Sequence, residues 1–121
     1  MKTKVFVDKA IKQDDRNIFE KYRGKVSSVP KAFVDLYEDY NPVDVEVSIN
    51  GSMVKLIPYE ELDEIQKEYS LDKECFVFAT CNGEPVYEKN KKIYTCVFSK
   101  NGIIEEEISD SFEDYCDLLD T

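Results

Sequence analysis

The hydrophobic pattern changes period along the chain. Phe33, Leu36, Tyr37 and Tyr40 recur at i, i+3, i+4 and i+7, which is one stripe of a 3.6-residue helix. Pro30 suits its first turn, and Asn41-Pro42 blocks its continuation, so the spacing predicts a helix over residues 30–40. The period then drops to two. Val43, Val45, Val47 and Ile49 alternate with polar residues up to Asn50-Gly51, a dipeptide that accepts the positive φ angles of a type I′ turn. A two-residue hairpin follows, with Val47 opposite Val54, Val45 opposite Leu56 and Glu46 opposite Lys55. Apolar pairs then share one face and an opposite-charge pair lands on the other.

The remaining segments alternate between the two periods. "KVFVDKAIKQ" is short and apolar enough to be strand or helix, and periodicity leaves both open. "RNIFEKYRG" places Ile18, Phe19 and Tyr22 at helical spacing and ends at Gly24, which predicts a short helix closed by a left-handed glycine. After Pro58, Leu62, Ile65 and Tyr69 form the buried side of a surface helix. From Cys75 to Ile108, four strand-like runs are separated by Asn82-Gly83, Lys89-Asn90 and Asn101-Gly102, the pattern of an antiparallel meander. A last helix begins near "SDSFED". Asp110 and Glu113 have capping-box spacing there, and Ser111 offers a second capping oxygen. Phe112, Tyr115, Cys116 and Leu119 are its buried stripe. The expectation is a single α+β domain over residues 1–121, an antiparallel-rich sheet of about six strands flanked by three or four helices.

Charge adds direction to this picture. Residues 1–31 hold nine basic and four acidic side chains, whereas residues 32–121 hold seven and twenty-two. The formal charge of −10 therefore belongs to the last three quarters of the chain. Such a surface repels nucleic acid and anionic membrane and steers a basic partner inward at low salt. Acidity also serves solubility alone, and composition leaves both readings open. No run of 18 apolar residues occurs, and charges interrupt the start of the chain, so a cytoplasmic protein is expected.

Nothing in the motifs points to catalysis. The chain has no histidine, so a cysteine nucleophile would lack its usual imidazole partner. Cys75, Cys81, Cys96 and Cys116 form no Cys-x-x-Cys pair and read as reduced core residues rather than zinc ligands. The four glycines stand singly, without a phosphate-binding loop. The acids of "DSFEDYCDLLD" are interrupted by core residues, unlike a calcium loop. No catalytic residue, cofactor or metal is expected.

The closing stretch "IIEEEISDSFEDYCDLLDT" carries eight acids and no base. Glu113 and Asp114 fall in the first turn of the last helix, where its dipole favours them. Asp117 and Asp120 fall near the end, where it does not. Locally unfavourable acids suggest selection for binding, so Glu105, Glu107, Glu113, Asp117 and Asp120 are the candidate partner-binding residues.

Five segments in order, "VPKAFVDLYEDYN", "IPYEELDEIQKEY", "FVFATCNG", "IYTCVFS" and "ISDSFEDYCDLL", resemble the landmarks of the SUKH superfamily, the Smi/Knr-like domains. The resemblance covers about residues 28–120 and rests on Pro30 and Asn41, on Phe78, Ala79 and Gly83, and on Ser111, Phe112 and Tyr115. It implies an α+β fold without catalytic residues. For bacterial members it also implies an immunity protein that binds and neutralises a polymorphic toxin, often a nuclease or deaminase. The partner would then be a basic cognate toxin domain. The Smi/Knr type also includes intracellular interaction or regulatory modules with no toxin, which is the alternative. The chain departs from the family at Asn41-Pro42-Val43, where members have Asn-Gly-Gly, and it lacks tryptophan altogether.

Overall fold

The computed structural model describes residues 2–120, with side chains from Thr3 onward. The protein is an α+β domain in which a six-stranded antiparallel sheet carries helices on both faces. The open segment at the start is helix α1 (Lys2–Gln13). The 30–40 region is a short 3₁₀ turn, Lys31–Phe33, running into α2 (Val34–Asp39). Strands β3 (Glu46–Ile49) and β4 (Ser52–Leu56) form the hairpin, and helix α3 (Leu62–Tyr69) follows a second 3₁₀ turn at Tyr59–Glu61. Strands β5 (Phe76–Cys81), β6 (Glu84–Lys89), β7 (Lys92–Ser99) and β8 (Gly102–Ser109) meander to α4 (Phe112–Cys116). The strands lie in sequence order from β3 to β8.

The hairpin register is the expected one. Val47 pairs with Val54 and Glu46 with Lys55, Leu56 N–H donates to Val45 O at 3.1 Å, and Val45, Val47, Val54 and Leu56 are all buried. Asn50 and Gly51 both have positive φ. The Asn82-Gly83 turn has the same form, and between β6 and β7 the left-handed pair is Asn90-Lys91, one residue later than the sequence suggests.

Two local expectations are corrected. The segment around Ile18 is not a helix: Ile18–Glu20 is strand β1, paired with β2 (Asn41–Asp44) in a separate two-stranded ribbon. Asn17 explains the change, because its Nδ2 donates to Ala10 O at the end of α1 while its Oδ1 accepts Glu46 N–H. With both ends of that amide bound, the chain leaves α1 extended toward the sheet. Gly24 accordingly has no left-handed φ. It sits under the Tyr22 ring, where a Cβ would come within 2.7 Å of the nearest ring carbon. The second correction concerns α4. Its cap is Ser111, whose hydroxyl accepts Asp114 N–H at 3.0 Å, whereas the Asp110 carboxylate turns toward Lys92 at 3.9 Å.

The larger core lies between the sheet and α1, α2 and α4. Phe33 is its centre, with Phe112 at 4.1 Å, Phe78 at 4.8 Å and Phe76 at 5.0 Å between ring centroids. On the opposite face α3 covers a smaller core of Val77, Tyr87 and Cys96. A bulge frees the backbone of Val77 there, and Gln66 of α3 takes both groups, at 2.8 Å each. Asn41, 2% exposed, accepts Tyr59 N–H and donates to Glu60, so it ties the end of α2 to the start of α3. Pro30 begins the 3₁₀ turn, Gly83 supplies positive φ and Phe112 is core. Each of these family-like positions has a structural task here.

The two edges of the sheet are treated differently. Along β3, Glu46 N–H is taken by Asn17 and Ser48 N–H by Gln13 Oε1, while Ser48 O accepts Gln13 Nε2 and Asp120 N–H. Asn50 N–H donates to Leu118 O. Every one of these outward groups is bonded, which closes that edge to a further strand. At β8 the sheet simply ends.

Candidate functional site

The backbone phase of β8 follows from its neighbours. In an antiparallel sheet, alternate residues bond to one side and then the other. Lys89 and Lys92 close the two-residue β6–β7 turn, and Val97 and Ser99 of β7 face β8 opposite Ile104 and Gly102. Ile104 and Glu106 therefore bond to β7, and Ile103, Glu105 and Glu107 turn their N–H and C=O groups outward. Among the described residues no hydrogen bond reaches those outward groups from the rest of the chain.

The side chains of β8 divide between the faces. Ile103, Glu105 and Glu107 lie opposite Phe98, Cys96 and Tyr94, on the side covered by α3, and Ile104 and Glu106 lie opposite Val97 and Thr95. The hairpin tip is apolar on both faces, with Val97, Phe98, Ile103 and Ile104 each 49% to 62% exposed. Phe98 stacks on Tyr69 at 6.4 Å, and otherwise this end projects beyond the helices.

The glutamates differ in their surroundings. Glu105 accepts the Tyr87 hydroxyl at 2.5 Å and Lys89 Nζ at 3.1 Å, and the tyrosine bond above all holds its carboxyl below the ordinary range. Glu107 pairs with Lys92 at 3.1 Å. Glu106, which the sequence reading passed over, is exposed, and among the described residues no cation lies within ion-pairing distance of it. The signal was the full run Glu105-Glu106-Glu107 at the edge of a sheet, but edge position is not written in the run.

The five expected binding residues do not form one surface. Glu105 and Glu107 share the α3 side of β8. Glu113 lies in α4 on the other side of the sheet, on the wall of a cavity of about 680 Å³ between α1, α2 and α4. Asp117 is exposed at the end of α4. Asp120 is at the opposite edge, five strand spacings or about 24 Å from β8.

Asp120 also departs from the dipole argument. The helix ends at Cys116, and the Asp120 carboxylate accepts Ser48 Oγ at 2.5 Å and Gly51 N–H at 2.8 Å. The serine bond, then the backbone bonds, lower its pKa from the ordinary 3.8. A depressed folded-state pKa gives stability that is present above the unfolded value and lost as pH falls through the folded one. Asp120→Asn should therefore unfold at lower denaturant than wild type at pH 7, the reverse of relieving a dipole conflict. The gap should close below about pH 4. Denaturant melts of both proteins across pH 2–7 check this, and a constant gap would contradict it.

All four cysteines are free, with Cys96 buried and the others partly so. Burial pushes the Cys75 thiol up to about 11 and Cys116 up to about 12, so both are protonated at neutral pH. Among the described residues no helix is long and apolar enough to cross a membrane. Compared with protein-family models, with curated proteins and with solved structures, the chain matches none.

Proposed function

We propose that this chain is a non-catalytic binding protein of the immunity type, which holds a basic toxin domain against the acidic edge of its sheet and so neutralises it. The observation that carries the reading is the run of three carboxylates, Glu105, Glu106 and Glu107, on a strand whose outer side is open. Lysines and arginines that would otherwise hold a nucleic-acid phosphate find carboxylates of matching geometry there. Among the described residues Glu106 presents a charge free of ion pairs, while Glu105 and Glu107 exchange the half-buried Lys89 and the exposed Lys92 for cations of the bound domain. Thiols raised by burial and the lack of histidine support a role without chemistry. The toxin itself enters through the resemblance to SUKH immunity proteins.

Co-expression with the C-terminal domain of a large secreted protein encoded in a neighbouring reading frame tests this. Wild type should protect the cell. Glu106→Lys with Glu107→Lys should not, and the double variant should associate with the purified domain at least tenfold more slowly at low salt, with its denaturation midpoint little changed. Equal association rates would remove β8 from the interface. Tight binding of a basic domain with no protection from toxicity would favour the regulatory-module alternative.

A further inference from the structure

The geometry points to strand addition at β8: an extended, basic segment of the partner pairs with Gly102–Ser109 as a seventh strand of the large sheet. This rests on the reading that the acidic edge binds a basic protein, and specifies how. The contrast between the two edges supports it. The backbone of β3 is bonded by Asn17, Gln13, Leu118 and Asp120, whereas three alternate residues of β8 offer three N–H and three C=O groups to solvent. An open edge of eight residues is a ready template for another strand.

The side chains define the occupant. A second copy fits poorly, since the symmetric antiparallel registers that set outward residues opposite outward ones place Glu105 opposite Glu105 with Ile103 opposite Glu107, or Glu106 opposite Glu106 with Glu105 opposite Glu107 twice over. Directly opposed like charges on neighbouring strands are unfavourable. The same carboxylates select an antiparallel segment with three cationic residues opposite Glu107, Glu106 and Glu105, followed by two apolar residues opposite Ile104 and Ile103. The apolar pair would cover the exposed hairpin tip, where Val97 and Phe98 extend the apolar surface on each face. Charge sets the register and backbone bonding supplies the hold.

A synthetic peptide in which three lysines precede two valines serves as the probe, with the ¹⁵N-labelled full chain at low salt. On saturation, amide exchange at Ile103, Glu105 and Glu107 should slow at least tenfold, while Ile104 and Glu106, already bonded to β7, stay unchanged. Glu107→Pro, which removes one outward N–H, should bind the peptide about tenfold more weakly than Glu107→Ala, which removes only the charge. Salt-sensitive binding without protection of the outward amides, or equal binding by the two variants, would overturn strand addition and leave the acidic-edge reading standing. No binding at low salt would overturn both. Protection that grows with protein concentration in the absence of peptide would assign the edge to a second copy and likewise overturn the proposal.

Discussion

Phe112→Ala should lower the stability of the domain by about 3–5 kcal/mol, a large share of what a chain of this size has. Phe112 is 6% exposed and its ring meets Phe33 at 4.1 Å and Phe78 at 5.3 Å, so truncation removes the ring with which α4 closes the aromatic cluster around Phe33. Losing the ring costs its transfer free energy, and the cavity left between the sheet and the 3₁₀ turn adds to it. The helix has only five residues, too few to hold by backbone bonding without the packed ring. A urea melt should show the midpoint moving sharply down with little change of slope. An unchanged midpoint would mean that the ring contributes little to the core. Because Phe33 and Phe112 touch, Phe33→Ala together with Phe112→Ala should cost less than the sum of the two single changes.

The second large effect is expected at the closed edge. Asn17→Ala leaves Glu46 N–H without a partner and Ala10 O with the Asp14 N–H alone, and Gln13→Ala removes the amide that spans Ser48 N–H, Ser48 O and Asp120 O. Stranding a buried backbone group costs about 1–3 kcal/mol, and Asn17 is buried. The double variant should therefore lose stability at both positions. It should also gain something that a merely loosened protein would not, a concentration-dependent self-association through β3. Sedimentation at rising concentration, alongside a denaturant melt, separates the two effects. A destabilised but strictly monomeric variant would show that these amides hold α1 to the sheet without guarding its edge.

How much of this is legible in the sequence depends on how local its cause is. The β3–β4 register was readable because Asn50-Gly51 fixes the turn and a slip would turn Val45 and Val47 outward. The α2 stripe was readable because Phe33, Leu36 and Tyr37 recur within two turns and all are buried. Ile18 and Phe19 misled for the opposite reason. Their conformation is set by Asn17, whose partners lie 7 and 29 residues away, and the spacing of two apolar residues cannot report such bonds. The acids show the same division. The sequence located a dense acidic stretch, but whether a carboxylate faces a partner or its own chain is a tertiary matter. Asp120 is bound to the β3–β4 turn and Glu105 to Tyr87, while Glu106 has no ion-pair partner among the described residues. Nor can strand order be read from "IIEEEI": the same run within the interior of a sheet would be an error, and at its edge it is a surface.

The closed edge also has a history in time. Ser48 and Asp120 are 72 residues apart, and at about 5–20 residues per second a ribosome takes roughly 4–14 s to pass from one to the other. During that interval the segment Leu118–Asp120 is not there to cover β3. Gln13 and Asn17 are, since both precede the strand they cap. The nascent edge is thus guarded from upstream as soon as β3 emerges, and neighbouring chains on the same message meet a strand whose central hydrogen bonds are already taken. The later clamp reinforces a closure that the first helix has made.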